Sequence, residues 1–149
     1  MQIIKNAINA NTAWLGKAMS LENNWIHRLQ ESELAEINSA LEKAKSANKL
    51  LQELTHRDFP LTNLVPTIKN WLKELNDGYG FLLIKGLPVQ TYNQQEIEII
   101  YYGLSLYLGK PVSQNAKGDL IGHVRDTGVN IVFKKNKKSE IRQLKAKKN

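Results

Sequence analysis

The sequence predicts an α+β fold, and two kinds of pattern carry that prediction. Three stretches, at 32–45, 63–76 and 93–108, repeat apolar residues at spacings of three and four, as one face of a helix requires. A short apolar run at 81–84, bounded by Gly80 and Gly86, has the length of a buried strand, and 129–133 reads as a second strand. With 149 residues, 42% of them hydrophobic, the chain suits one small domain.

In chain order, residues 1–30 show no clean period and read as an extended arm with short turns, Trp14 and Trp25 anchoring it in the core. Ser32 is the expected cap of the first helix, whose first turn holds Glu33 and Glu36 and whose apolar face is Leu34, Ile37, Leu41 and Ala44. Residues 49–54 add a short helical piece before the break at Asp58, Phe59 and Pro60. In the second helix Pro66 sits in the first turn, Ile68, Trp71, Leu72 and Leu75 share a face, and Asp77, Gly78 and Gly80 end it. Asn93 and Glu96 have the spacing of a reciprocal cap for the third helix, with Ile97, Ile100, Tyr101, Leu104 and Leu108 as its apolar face and Gly109 and Pro111 closing it. Residues 112–126 read as an ordered polar loop with strand fragments.

The chain has no cysteine, so thiolate nucleophiles, disulfides and Cys-ligated metals are excluded, and any metal must be held by His, Asp or Glu. Eight of the 21 basic residues but one of the 14 acids lie in 134–149, which leaves 13 of each before it. The net charge of +7 therefore belongs to a short C-terminal tail and not to the body. No secretory signal pattern opens the sequence and its longest uncharged apolar stretch, 99–109, is too short to cross a bilayer, so the expectation is a cytoplasmic protein without membrane association.

Several catalytic motifs begin and fail. Gly78 and Gly80 place Leu83 where a dinucleotide fingerprint needs its third glycine, and they precede the strand. Gly109 and Lys110 end like a phosphate loop, but Gly103 is one residue too far away and Pro111 replaces the magnesium-binding hydroxyl. Gly103, Leu104 and Ser105 start a nucleophile elbow that Tyr107 spoils. His27, His56 and His123 are widely separated; the first two read as structural or solvated, and His123 as a loop histidine beside Arg125 and Asp126.

The run ELAEI at 33–37, GYGFLLIKGLP at 78–88, the helix at 99–109 and, most specifically, GKPVSQNAKGDLIGHVRD at 109–126 occur in the order of similar segments in one enzyme family. Together they resemble the N-terminal part of the taurine dioxygenase family, in particular its clavaminate-synthase-like branch, over residues 14–128. The resemblance implies N-terminal helices packed against a double-stranded beta-helix, or jelly roll, of which this chain supplies the helices and first strands, an incomplete roll. Intact relatives of that kind oxidise a small-molecule substrate with Fe(II), held by a His-x-Asp pair and a distant His, and 2-oxoglutarate, whose carboxylate pairs with an arginine late in the domain.

This sequence departs from that pattern: its one His-x-Asp, His56-Arg57-Asp58, comes before the segments at 78–126 that carry the resemblance, and no histidine follows His123. The expectation is a dioxygenase-like chain truncated before the iron motif, inactive alone, with no catalytic residue, no metal ligand and no cofactor of its own. Gln114, Asn115, Lys117, Asp119, His123 and Arg125 are expected to line or support the pocket, or to brace the loop through their own hydrogen bonds. Residues 1–128 form the dioxygenase-like part; 129–149 form a strand-like segment and basic tail, read as out-of-frame sequence. Uncovered sheet edges predict self-association. The alternative is a non-catalytic binding module whose tail contacts nucleic acid or another polyanion, although no aromatic residue after Phe133 is there to stack on bases.

Overall fold

A computed structural model of the chain describes residues 11–124, 130–133 and 144–147. In order these form α1 (Gly16–Met19), β1 (Ile26–Arg28), α2 (Glu31–Ser46), a 3₁₀ turn (Leu51–Glu53), α3 (Val65–Asp77), β2 (Leu83–Lys85), a second 3₁₀ turn (Val89–Thr91), α4 (Gln94–Leu108), β3 (Asn130–Phe133) and β4 (Leu144–Lys147). The α+β expectation holds. β1 and β2 pair in parallel, Ile26 opposite Leu83 and Arg28 opposite Lys85. The extended arm is thus partly a strand, joined to its partner through α2 and α3.

The core lies among α2, α3 and α4. Ile37, Ala40, Leu41 and Ala44 make the buried stripe of α2, and Ile68 and Trp71 that of α3. Phe59, wholly buried, fills the space between them and α4. A Cβ on Gly103 would come within 2.4 Å of the Phe59 ring, so glycine is what lets α4 close on it. The Tyr107 hydroxyl accepts the Leu61 N–H at 2.8 Å and donates to the Phe59 carbonyl at 3.0 Å, satisfying the backbone on both sides of Pro60.

Helix ends are secured by carboxylates. Asn93 accepts the Glu96 N–H at 3.0 Å while Glu96 accepts the Asn93 N–H at 3.0 Å, the reciprocal cap the spacing predicts. Glu33 accepts the Gln30 N–H at 2.9 Å, so α2 starts at Glu31 and is capped from Gln30 instead of Ser32, because β1 delivers the chain directly into the helix. α3 has no capping side chain of its own. Glu36 of α2 reaches across to take the N–H groups of Thr62, of Asn63 at 2.9 Å and of Leu64 at 2.8 Å.

Other expectations are corrected. Trp14 is 47% exposed and sits edge-on to Phe81 at 5.1 Å, with Trp25 at 5.4 Å from the same ring; the two tryptophans build a peripheral aromatic cluster, and Trp71 is the core indole. β2 is not fully buried: with β1 as its partner, it leaves Leu83 exposed and covers Ile84 in part. α4 buries Ile99, Ile100, Tyr102 and Gly103, while Tyr101 is 63% exposed. The helix is apolar nearly all round, and the contact with Phe59 selects the inward side. Inside the basic tail, β4 pairs antiparallel with β3, Val132 opposite Lys145, so the tail contributes a strand where none was expected. Residues 134–143, 148 and 149 lie outside the described residues. No helix among the described residues is long and apolar enough to cross a membrane.

Candidate functional site

Past Gly109 the chain turns back over α4 as a loop shaped by its own polar side chains. Asn115 Oδ1 accepts the N–H groups of Lys117 at 2.9 Å and Asp119 at 3.2 Å, and its Nδ2 donates to Asp119 Oδ2 at 2.6 Å. The Gln114 N–H donates to the Asp119 carbonyl at 2.7 Å, and the Gln114 amide to the Val112 carbonyl at 2.9 Å. Gly118, at φ 88°, supplies the left-handed step that closes the turn. Leu120 and Ile121 then dip against the core.

The loop walls a cleft of about 620 Å³ whose other side is Leu51, Gln52 and Glu98. Lys117, Asp119 and His123 line it, so three of the six expected residues share one space. Gln114 and Asn115 act behind the wall, as braces. Arg125 and Asp126 lie outside the described residues. His123 Nε2 stands 3.5 Å from Glu98 Oε1, an oxygen that also accepts the Gln94 amide at 2.9 Å. Glu98 and Gln52 escaped the sequence reading. The available signal was that Glu98 is the last charged residue of α4, ahead of ten uncharged ones.

The other histidines are occupied elsewhere. His27 meets Glu33 at 3.0 Å and the edge of Trp71 at 5.1 Å; His56 lies edge-on to Tyr107 at 4.5 Å. Burial pushes the Glu33 carboxyl up, but the Gln30 N–H and His27 outweigh it and hold it below its ordinary value. A neighbouring cleft of about 360 Å³ shares Leu51 and Glu98 with the first and is crossed by the Lys45–Glu96 pair at 2.8 Å. That contact raises the Lys45 ammonium and, with the Asn93 N–H, lowers Glu96. These charges are paired and exposed, which suits bracing between α2 and α4 better than chemistry.

Polar contact, shape and partial shielding are therefore what the larger cleft offers. Among the described residues no three side chains of metal-binding type come together.

The sequence matches no family model. It is 24% identical over 128 residues to FR-33289 synthase of Streptomyces rubellomurinus, covering 86% of this chain and 38% of that protein. It is 26% identical over 125 residues to the taurine hydroxylase-like protein SAT17 of Stachybotrys chartarum, covering 83% of this chain and 32% of that protein. The chain thus spans about a third of the length of the curated relatives it matches. These likenesses support the expected kinship with the taurine dioxygenase group of oxidising enzymes.

Proposed function

We propose that this chain is the N-terminal helical part, with the first strands, of an oxidising enzyme of the taurine dioxygenase kind, and that its larger cleft is one wall of a small-molecule chamber. The observation that carries this reading is the alignment of 86% and 83% of the chain with a synthase and a taurine hydroxylase-like protein. In this reading a jelly roll completes the enzyme, and Fe(II) and 2-oxoglutarate are held by that roll. Lys117, Asp119 and His123 face the chamber, and Gln114 and Asn115 keep their wall in shape.

A facial iron site needs two imidazoles and a carboxylate converging on one point. The described residues do not fit it: among them no three side chains of metal-binding type come together, His27 is bonded to Glu33, Asp58, two residues after His56, is held by Lys49 and Thr55, and His123 meets one carboxylate, Glu98, that is already hydrogen-bonded to Gln94. No catalytic step is assigned to these side chains. The 149-residue chain alone is expected neither to bind Fe(II) one-to-one with 2-oxoglutarate nor to convert that cosubstrate to succinate. Anaerobic iron titration, watched for the charge-transfer band of the iron and 2-oxoglutarate chelate, tests this, with succinate assayed after oxygen is admitted. A stoichiometric band abolished by His123→Ala would overturn it.

A further inference from the structure

The hydrogen bonds of residues 112–119 close on the segment itself: Ser113 to the Asn115 carbonyl at 2.6 Å, Gly118 N–H to the same carbonyl at 3.1 Å, and the Asn115 and Gln114 bonds already described. Among the described residues none of these bonds reaches another element. A segment braced internally and attached only at its ends keeps its shape when its ends move. Its described attachments after Gly118 are the half-buried Leu120 and Ile121 and the approach of His123 to Glu98. That approach is incomplete. At 3.5 Å it is longer than an ordinary hydrogen bond, while Gln94 already holds the same oxygen at 2.9 Å, so a small inward movement of the loop would complete a bond that is now only half made.

We propose that residues 112–123 move as one rigid flap over the cleft, fastened by a clasp between His123 and Glu98. The polar groups facing the clasp are Gln94 on the same helix, Gln52 on the 3₁₀ turn, and Lys117 and Asp119 on the flap. Glu98 is then a positioning residue: it acts through His123 to set how far the flap closes. The inference concerns the cleft assigned above but requires no oxidation, and its test reads motion instead of turnover, so it can fail while the enzymatic reading stands, or the reverse.

The test is backbone relaxation dispersion and amide hydrogen exchange on the full chain, with Glu98→Ala, His123→Ala, the double variant and Asn115→Ala. A rigid flap gives residues 113–119 one common exchange rate. Either clasp variant should raise the open population about two- to five-fold, the range expected from losing an exposed polar contact, and the double variant should add nothing. Protection of the Gln114, Lys117, Gly118 and Asp119 amides should be unchanged in the clasp variants and stripped in Asn115→Ala. Residue-by-residue rates in the parent chain, additive effects of the two clasp variants, or no effect of either would overturn the proposal. Unchanged dispersion in the helices confirms that each variant folds.

Discussion

In the helical body, side chains satisfy backbone and charge far along the chain. Glu36 reaches Asn63 and Leu64, Lys45 reaches Glu96, and Tyr107 reaches Phe59 and Leu61. In the loop that follows, from Val112 to Asp119, each described hydrogen bond spans five residues or fewer. Long-range bonds over a buried core make a cooperative unit, whereas local bonds over exposed backbone make a shape that can form or fail on its own. The two regions therefore divide the work: the body sets where α4 lies, and the loop, shaped by its own bonds up to Asp119 and resting on the core through Leu120 and Ile121, presents Lys117, Asp119 and His123 beside it.

The largest effect expected under this division comes from the centre of the body. Phe59→Ala removes a wholly buried ring and should cost about 3–5 kcal/mol, read as a lower urea midpoint with the helical signal lost in one step. Gly103→Val attacks the same contact from the other side and should cost about 1–3 kcal/mol by overpacking, since α4 would have to lift from Phe59. If either variant melted the loop while the helices survived, the two regions would not be divided as described.

Next in size is Glu36→Ala. It leaves three N–H groups at the start of α3 without their carboxylate, and water can replace it only in part because Leu64 is buried. A loss of about 1–3 kcal/mol is expected, with Glu36→Gln intermediate because one acceptor oxygen remains. Equal stability of the two variants would mean that the charge, and not the acceptor geometry, secures the helix. Asn115→Ala should do the reverse of the core variants: it removes the loop's central acceptor, abolishes protection of the Lys117 and Asp119 amides, and changes global stability by less than about 0.5 kcal/mol. A shift as large as that of Glu36→Ala would make the loop part of the cooperative unit.

How much of this was legible in the sequence follows the same line between local and distant. The Asn93–Glu96 cap, Pro66 in the first turn of its helix and an ordered polar loop beginning at Val112 depend on neighbours in sequence, and could be read there. The cap of α3 could not, because its carboxylate comes from 27 and 28 residues earlier. The inward side of α4 was read only in part, for a related reason. Ile100 is buried and Leu104 and Leu108 pack against the core as the expected face requires, but Tyr101 is exposed, and Ile99, Tyr102 and Gly103 turn inward because the distant Phe59 sets the contact. At the candidate site, Lys117, Asp119 and His123 were visible as a polar run, whereas Glu98 gains its place only when the loop folds back over the helix.

A smaller effect than those of the core variants is expected at the turn of residues 55–58, where Asp58 pairs with the exposed Lys49. Asp58 accepts the Lys49 ammonium at 2.8 Å and, through its other oxygen, the Thr55 hydroxyl at 2.7 Å and N–H at 2.9 Å. These bonds, the Lys49 contact first, lower its carboxyl from the ordinary 3.8 to about 2. A folded-state value below the unfolded one means that the unfolded chain takes up its proton first as pH falls. The stabilisation is therefore complete above the ordinary carboxylate range and is lost between about pH 4 and 2. Asp58→Asn should be less stable than the parent at neutral pH, and the gap should close across that window. Lys49→Met should keep a reduced version of the same pH dependence, because Thr55 still donates two bonds. Since the turn at 55–58 is tied to the buried Phe59 through the Thr55 carbonyl, the gap should appear in the global unfolding midpoint and not in loop exchange. A gap that persists unchanged below pH 2 would show that Asp58 acts through the shape of the turn and not through its charge.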